Sequence, residues 1–155
     1  MSEKLIYTAG TSNRSVEEFI DILKTYNIKT VIDVRSFPAS KRFPHFSKDS
    51  LDEILKKEGF EYIYLGRELG GFRKGGYEAY MKTEEFKKGI EKLEEIARSS
   101  LSLFFCAEKL FFRCHRRFIS EMLSERGWKV LHIVEKDRVF EHKQSIIHQK
   151  SFDFA

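Results

Sequence analysis

Three segments of the chain, KTYNIKTVIDV, KKEGFEYIYL and SERGWKVLHIV, share one grammar: an amphipathic stretch ends at Asn27, Gly59 or Gly127, and a β-rich apolar run follows within two residues. Asn and Gly tolerate the left-handed backbone that closes a helix, so each segment reads as a helix delivering directly into a strand. The preceding stretches carry apolar residues at helical spacing: Phe19, Ile20 and Leu23; Leu51, Ile54 and Leu55; Phe118, Ile119, Met122 and Leu123. Ser15 with Glu18 forms a capping-box pattern that starts the first helix.

With KLIYTAG at the start and LSLFFC near position 100, the pattern predicts five strands, at 4–9, 29–34, 60–65, 101–106 and 129–134, and a helix over 83–98 with Phe86, Ile90, Leu93 and Ala97 inward. Strands alternating with helices specify an α/β fold: a single three-layer domain over 1–155, with a mainly parallel sheet of about five strands and helices on both faces. The segment 136–155, ending HQKSFDFA, reads as a short helix or an ordered tail. No repeat, low-complexity tract or linker interrupts the chain.

At 155 residues, 41% apolar with 15 Phe, the chain has ample material for one packed core and is too aromatic for disorder. No apolar h-region follows Met1 and no apolar run approaches the ~18 residues of a membrane span, so a cytoplasmic protein without a membrane partner is expected. Cytoplasmic thiols stay reduced, which makes the two Cys free thiols open to chemistry. Lys and Arg exceed Asp and Glu by 28 to 24, a formal +4 that favours an anionic partner without naming one.

Open parallel sheets bind ligands at the carboxyl ends of their strands. Four loops gather polar residues there. After the first strand comes GTSNR, with Ser12, Asn13 and Arg14 before a helix start that favours an anion; taken alone, a plain turn with an N-cap is the preferred explanation. In VIDVRS, Asp33 and Arg35 share one strand face, as an internal ion pair or a substrate-facing one. The loop SFPASKRFPHF holds Pro38, Pro44, Lys41, Arg42 and His45, a lid or a surface loop. RELGGFRKGGY, with Glu68 and Arg73, is either flexible cover or an ordinary connection.

The densest cluster is CAEKLFFRCHRR. Cys106 ends the fourth strand, Glu108 and Lys109 enter the loop, and Cys114, His115 and Arg116 begin the next helix, where the helix dipole and nearby arginines depress a thiol pKa. A nucleophilic cysteine with His115 or Glu108 as general base is one reading. A buried, inert Cys106 with Arg116 and Arg117 on a solvated face is the other. Two Cys eight residues apart with one His lack the paired spacing of a structural zinc site, so neither a metal nor a cofactor is expected.

Taken together, TAGTSNRSVEEFI, VIDVRSFPASKRFPHFS, LGRELGG, FFCAEKLFFRCHRRFI and VLHI resemble the family DUF 488, a domain of unknown function, over residues 5 to 135. The matching forms are T-x-G-x-S-N-R at Thr8 to Arg14, D-V-R-S-x-P at Asp33 to Pro38, P-H-F at Pro44 to Phe46, E-L-G-G at Glu68 to Gly71, C-A-E at Cys106 to Glu108 and C-H-R at Cys114 to Arg116. Where relatives have a short polar connection between C-A-E and C-H-R, this chain has Leu110, Phe111 and Phe112. The resemblance implies a three-layer α/β domain and no activity. A looser analogy joins the I-D-V-R strand end and the later strand-end Cys to rhodanese-like domains, although the compact Cys-x5-Arg spacing of those loops is missing.

Three functions follow as expectations. The first is an enzyme for a phosphorylated or otherwise anionic substrate, a nucleotide or nucleic-acid component. In it Arg14, Arg35 and Arg116 clamp the anion with Ser12, Asn13, His45 and Lys109 nearby, Asp33, Glu108 and His115 serve as acid or base, and Cys106 or Cys114 attacks. The second is a nucleic-acid-binding module using Phe43, Phe46, Phe72 or Tyr77 to stack on bases. The third is rhodanese-like sulfur transfer. The oligomeric state is left open by the sequence.

Overall fold

The computed structural model describes residues 4–39 and 42–143. Within it the three junction residues close their helices in the left-handed conformation, with φ of 58° at Asn27, 92° at Gly59 and 94° at Gly127. The strands that follow are β2 (Thr30–Asp33), β3 (Glu61–Tyr64) and β5 (Lys129–Glu135), joined by β1 (Leu5–Gly10) and β4 (Ser102–Cys106). The helices are α1 (Val16–Thr25), α2 (Lys48–Lys57), α3 (Gly66–Leu69), α4 (Tyr77–Tyr80), α5 (Glu84–Ser99) and α6 (Arg116–Glu125). Ser15 and Glu18 complete the capping box on α1, and the Thr83 hydroxyl caps α5.

The last segment departs from expectation. Rather than a helix or a tail, Arg138–Glu141 forms a sixth strand, β6, antiparallel to β5 through a tight turn at Lys136 and Asp137. The remainder of that segment, 144–155, and Lys41 of the proline loop lie outside the described residues.

The sheet order is β3-β2-β4-β1-β5-β6, parallel except for β6. Alternation along the strands sends Val31, Leu103, Phe105 and Ile133 to one face, where they pack with Phe19, Leu23, Leu51 and Leu55 of α1 and α2. Ile32, Phe104, Cys106 and Val130 go to the other face, against Phe86, Ile90 and Leu93 of α5 and Ile119 and Leu123 of α6. Each fully buried Phe or Leu contributes about 1.5–3 kcal/mol, and both faces of the central strands are covered, which is why TVID and SLFFC read as continuous apolar runs. This is a three-layer α/β arrangement, and among the described residues no helix is long and apolar enough to cross a membrane.

The topology also fixes where a ligand fits. From β1 the chain crosses by way of α1 to β2, and from β4 it crosses by way of α6 to β5 on the opposite side. The two connections therefore leave the neighbouring strand ends, at the paired residues Gly10 and Cys106, toward opposite faces of the sheet, the position where the crevice of an open parallel sheet lies.

Candidate functional site

The crevice is bounded by loops that are locked together. Thr11 N–H donates to Cys106 O at 2.9 Å and Ser12 N–H to Ala107 O at 2.8 Å, extending the β1–β4 ladder past the strand ends. A Cβ on Gly10 would collide with the Glu108 carbonyl, so the T-x-G-x-S-N-R motif needs its glycine for this approach. Ser12 turns the chain at φ 46°. The E-L-G-G motif serves a similar purpose across the crevice, where a Cβ on Gly71 would overlap the His115 ring.

Two clefts open at this rim. One, of about 440 Å³, is lined by Ser12, Asn13, Arg35 and Arg42 with aromatic walls from Phe37, Phe43 and Phe46. The other, of about 260 Å³, is lined by Cys106, Glu108, Cys114, His115, Gly71 and Phe72. Arg35, Phe37 and Ala107 belong to both, so the clefts share a wall. Phe37 and Phe72, 68% and 79% exposed, meet edge to face over that wall at 5.4 Å between centroids.

Beneath the first cleft Asp33 is fully buried. Its carboxylate accepts Arg35 Nε and Nη2 at 2.9 and 2.8 Å and the Tyr62 hydroxyl at 2.5 Å. Burial, and then the Asp33 charge, push the Tyr62 hydroxyl pKa well up, so it stays a donor. Asp33 is thereby the anchor of Arg35, whose guanidinium also lies over the Phe105 ring.

The sulfur centre sits beside the second cleft. Cys106 and Cys114 are both free, with Sγ atoms 3.2 Å apart. Arg116, 1% exposed, donates Nε to Cys106 Sγ at 3.1 Å, Nη1 to Thr8 Oγ1 at 2.8 Å and Nη2 to the carbonyls of Glu108 and Lys109 at 2.6 and 3.1 Å. None of these partners is a carboxylate. The hydrogen bond from Cys114 draws the Cys106 thiol down to about 6 against the cost of burial, and the charge and hydrogen bond of Arg116 add to it. Cys114 moves the other way, because it supplies that hydrogen bond and is itself largely buried. The helix dipole therefore selects neither thiol: α6 begins only at Arg116, and the lowered thiol lies on β4.

A chain of buried polar groups continues from Arg116. The Thr8 hydroxyl meets His132 Nδ1 at 2.7 Å, His132 Nε2 meets His142 Nδ1 at 2.9 Å, and His142 Nε2 meets Glu121 Oε1 at 2.8 Å. The Glu121 carboxylate accepts, and with neutral imidazoles that end sets the order: each ring donates from Nε2 and accepts at Nδ1, and the Thr8 hydroxyl, which accepts from Arg116, donates to His132. Burial holds the His132 pKa far down, with His142 and the positive Arg116 adding to it, and Phe111 stacks on the ring at 3.6 Å.

His115 Nε2 donates to Val34 O at 2.8 Å, its Nδ1 lies against Gly71, and burial lowers its pKa to about 4.

Other expected residues are placed elsewhere. Arg116 as a clamp for a rim anion does not fit this geometry, because its guanidinium is turned under the loop. Arg14 is buried along the β5 end, donating to Gly10 O and to Val134 O at 3.0 and 2.5 Å, and joins Lys109 at Glu135. His45 packs against Phe43 and Phe46 and lines neither cleft. Glu108 accepts the Leu110 amide at 3.2 Å. Of the aromatic residues expected to stack on bases, Phe46 and Tyr77 are core residues and Phe72 is the exposed one.

The amides of Arg113 and Cys114 donate to the carbonyls of Leu110 and Phe111, and the Leu110 amide to the Glu108 carboxylate. Among the described residues no group of three or more His, Cys, Asp and Glu could hold a metal ion. Thr8, Tyr62, Glu121, His132 and His142 are the site residues that sequence reasoning does not find. Family comparison matches residues 15–76 and 71–123 to the domain of unknown function DUF488, and no curated protein or solved structure matches the chain.

Proposed function

The chain belongs to the family of domains of unknown function DUF488, and from that premise we propose that it is an enzyme acting through Cys106 on a phosphorylated or otherwise anionic substrate, a nucleotide or nucleic-acid component. The observation that carries this reading is the sulfur centre itself: a buried arginine whose nearest available anion is a cysteine sulfur, set beside a cleft at the crevice where such sheets bind ligands.

The roles divide between the two clefts. Arg35 and Arg42, with Ser12 and Asn13, hold the anionic group, and the aromatic walls take a planar portion of the substrate. Cys106 attacks across the shared wall, His115 takes a proton at Nδ1, and Glu108 is the second acid or base. Arg116 holds the nucleophile rather than the substrate. The exposed pair Phe37 and Phe72 favours a second reading, a nucleic-acid surface without catalysis.

A titration with nucleoside monophosphates and inorganic phosphate separates the two. The enzyme reading expects Arg42→Ala to weaken binding about tenfold and Cys106→Ser to retain binding while abolishing turnover. Binding of single-stranded nucleic acid that falls steeply with salt, weakens on Phe72→Ala and ignores Cys106→Ser would transfer the conclusion to the second reading. Anion affinity unchanged in both Arg42→Ala and Asn13→Ala would remove the cleft from consideration.

A further inference from the structure

The proposed reaction uses one of the two thiols, yet Cys106 and Cys114 are in direct contact. A disulfide needs about 2.05 Å between sulfurs, and theirs are 3.2 Å apart. Cys106 is fixed in β4, whereas Cys114 is in extended backbone between a 3-10 turn at Phe111–Arg113 and α6, so a small adjustment of Cys114 closes the gap. The two thiols are also unlike. One accepts from a buried guanidinium at 3.1 Å, and the other contacts only its partner sulfur, the Phe111 carbonyl and the Arg116 amide.

We propose that Cys106 and Cys114 form a dithiol–disulfide couple that reduces a small hydroperoxide and is regenerated by an external dithiol. The Cys106 thiolate attacks one peroxide oxygen, the O–O bond breaks, and the departing alkoxide or hydroxide takes a proton from solvent, leaving Cys106 as sulfenic acid. Cys114 then attacks the Cys106 sulfur. The S–O bond breaks and hydroxide leaves with the Cys114 proton as water. Two electrons pass from the sulfurs to the peroxide, and a dithiol returns them by exchange through a mixed disulfide.

The surroundings suit these roles. Cys106 is 3% exposed at the side of a cleft of about 260 Å³, which admits a molecule of two oxygens more readily than a bulky disulfide. Arg116 also makes the disulfide temporary. Oxidation removes the negative sulfur and leaves a buried guanidinium among neutral partners, so the reduced form is the one the fold stabilises and the disulfide is strongly oxidising. The anion cleft takes no part in this cycle, and the proposal stands or falls independently of a phosphorylated substrate.

The test is stoichiometric hydrogen peroxide on the reduced full chain, followed by thiol titration in denaturant and intact mass. The parent should lose both thiols within one molecule, and dithiothreitol should restore both. Cys114→Ser should accumulate a sulfenic acid that a carbon nucleophile traps, Cys106→Ser should keep its thiol, and Arg116→Met should react at least about tenfold more slowly. Circular dichroism on each variant separates loss of reactivity from loss of fold, and the two cysteine variants decide the matter if Arg116→Met does not fold. A folded parent that retains two thiols, a Cys106→Ser variant oxidised as fast as the parent, or a Cys114→Ser variant whose Cys106 resists peroxide would overturn the proposal.

Discussion

Arg35 and Arg116 are both buried arginines at the carboxyl ends of the central strands, on opposite faces of the sheet, and they are compensated in different ways. Arg35 places two nitrogens on the two oxygens of Asp33, and Tyr62 completes that carboxylate. Arg116 spreads its nitrogens over a sulfur, a hydroxyl and two carbonyls. A buried guanidinium without an anion is costly. On the Asp33 side the anion is a group that is ionised in any case. On the Cys106 side the charge must come from a thiol, and that requirement turns a structural arginine into a means of activating sulfur.

The largest effect should come from breaking the conventional pair. Asp33→Asn leaves Arg35 buried beside a neutral amide and should cost about 3–5 kcal/mol in urea unfolding; a loss below about 1 kcal/mol would mean that the pair is not what holds Arg35. Cys106→Ser tests the unconventional pair and should cost less, about 1–3 kcal/mol, with a pH dependence that the first variant lacks. Cys106 ionises near 6 in the folded chain against about 8.5 unfolded. A lowered acid stabilises the fold above its unfolded pKa and loses that contribution as pH falls through the folded value. The gap between parent and Cys106→Ser should therefore widen from pH 6 to about 8.5, and the alkylation rate of Cys106 should show its midpoint near 6. A constant gap and an ordinary thiol midpoint would leave Arg116 without its anion. Smallest is Tyr62→Phe, about 1.5 kcal/mol, since Arg35 still covers both Asp33 oxygens.

The same contrast marks how far the sequence was legible. Asp33 and Arg35 are two apart on a strand, so their shared face follows from the pleat, and Asn27, Gly59 and Gly127 announce their junctions because few residues tolerate that backbone. The helix over 83–98 lies within one residue of α5, and the family comparison spans the motifs from Asp33 to Arg116, whereas Thr8 to Arg14 precede the matched residues. Arg116 shows the limit. Its position beside a helix start is visible in the sequence, but its direction is set by Thr8 on a strand more than a hundred residues earlier. The contact of Cys106 with Cys114 depends on the short turn at Phe111–Arg113, which the sequence shows only as an apolar run with no turn residue in it. His132 and His142 join the site only through the β5–β6 hairpin, whose turn of Lys and Asp lacks the glycine that usually marks one.

That hairpin sets an order of events during synthesis. Thr8 emerges from the ribosome among the first residues, and Arg116 and both cysteines follow, yet the imidazole that links His132 to Glu121 belongs to His142, just past β6. Until β6 has folded back on β5, His132 lacks the acceptor that orients its ring, and Arg116 rests on a threonine free to turn away. The polar relay from Arg116 through Thr8, His132 and His142 to Glu121 is therefore complete only once the last described strand has docked.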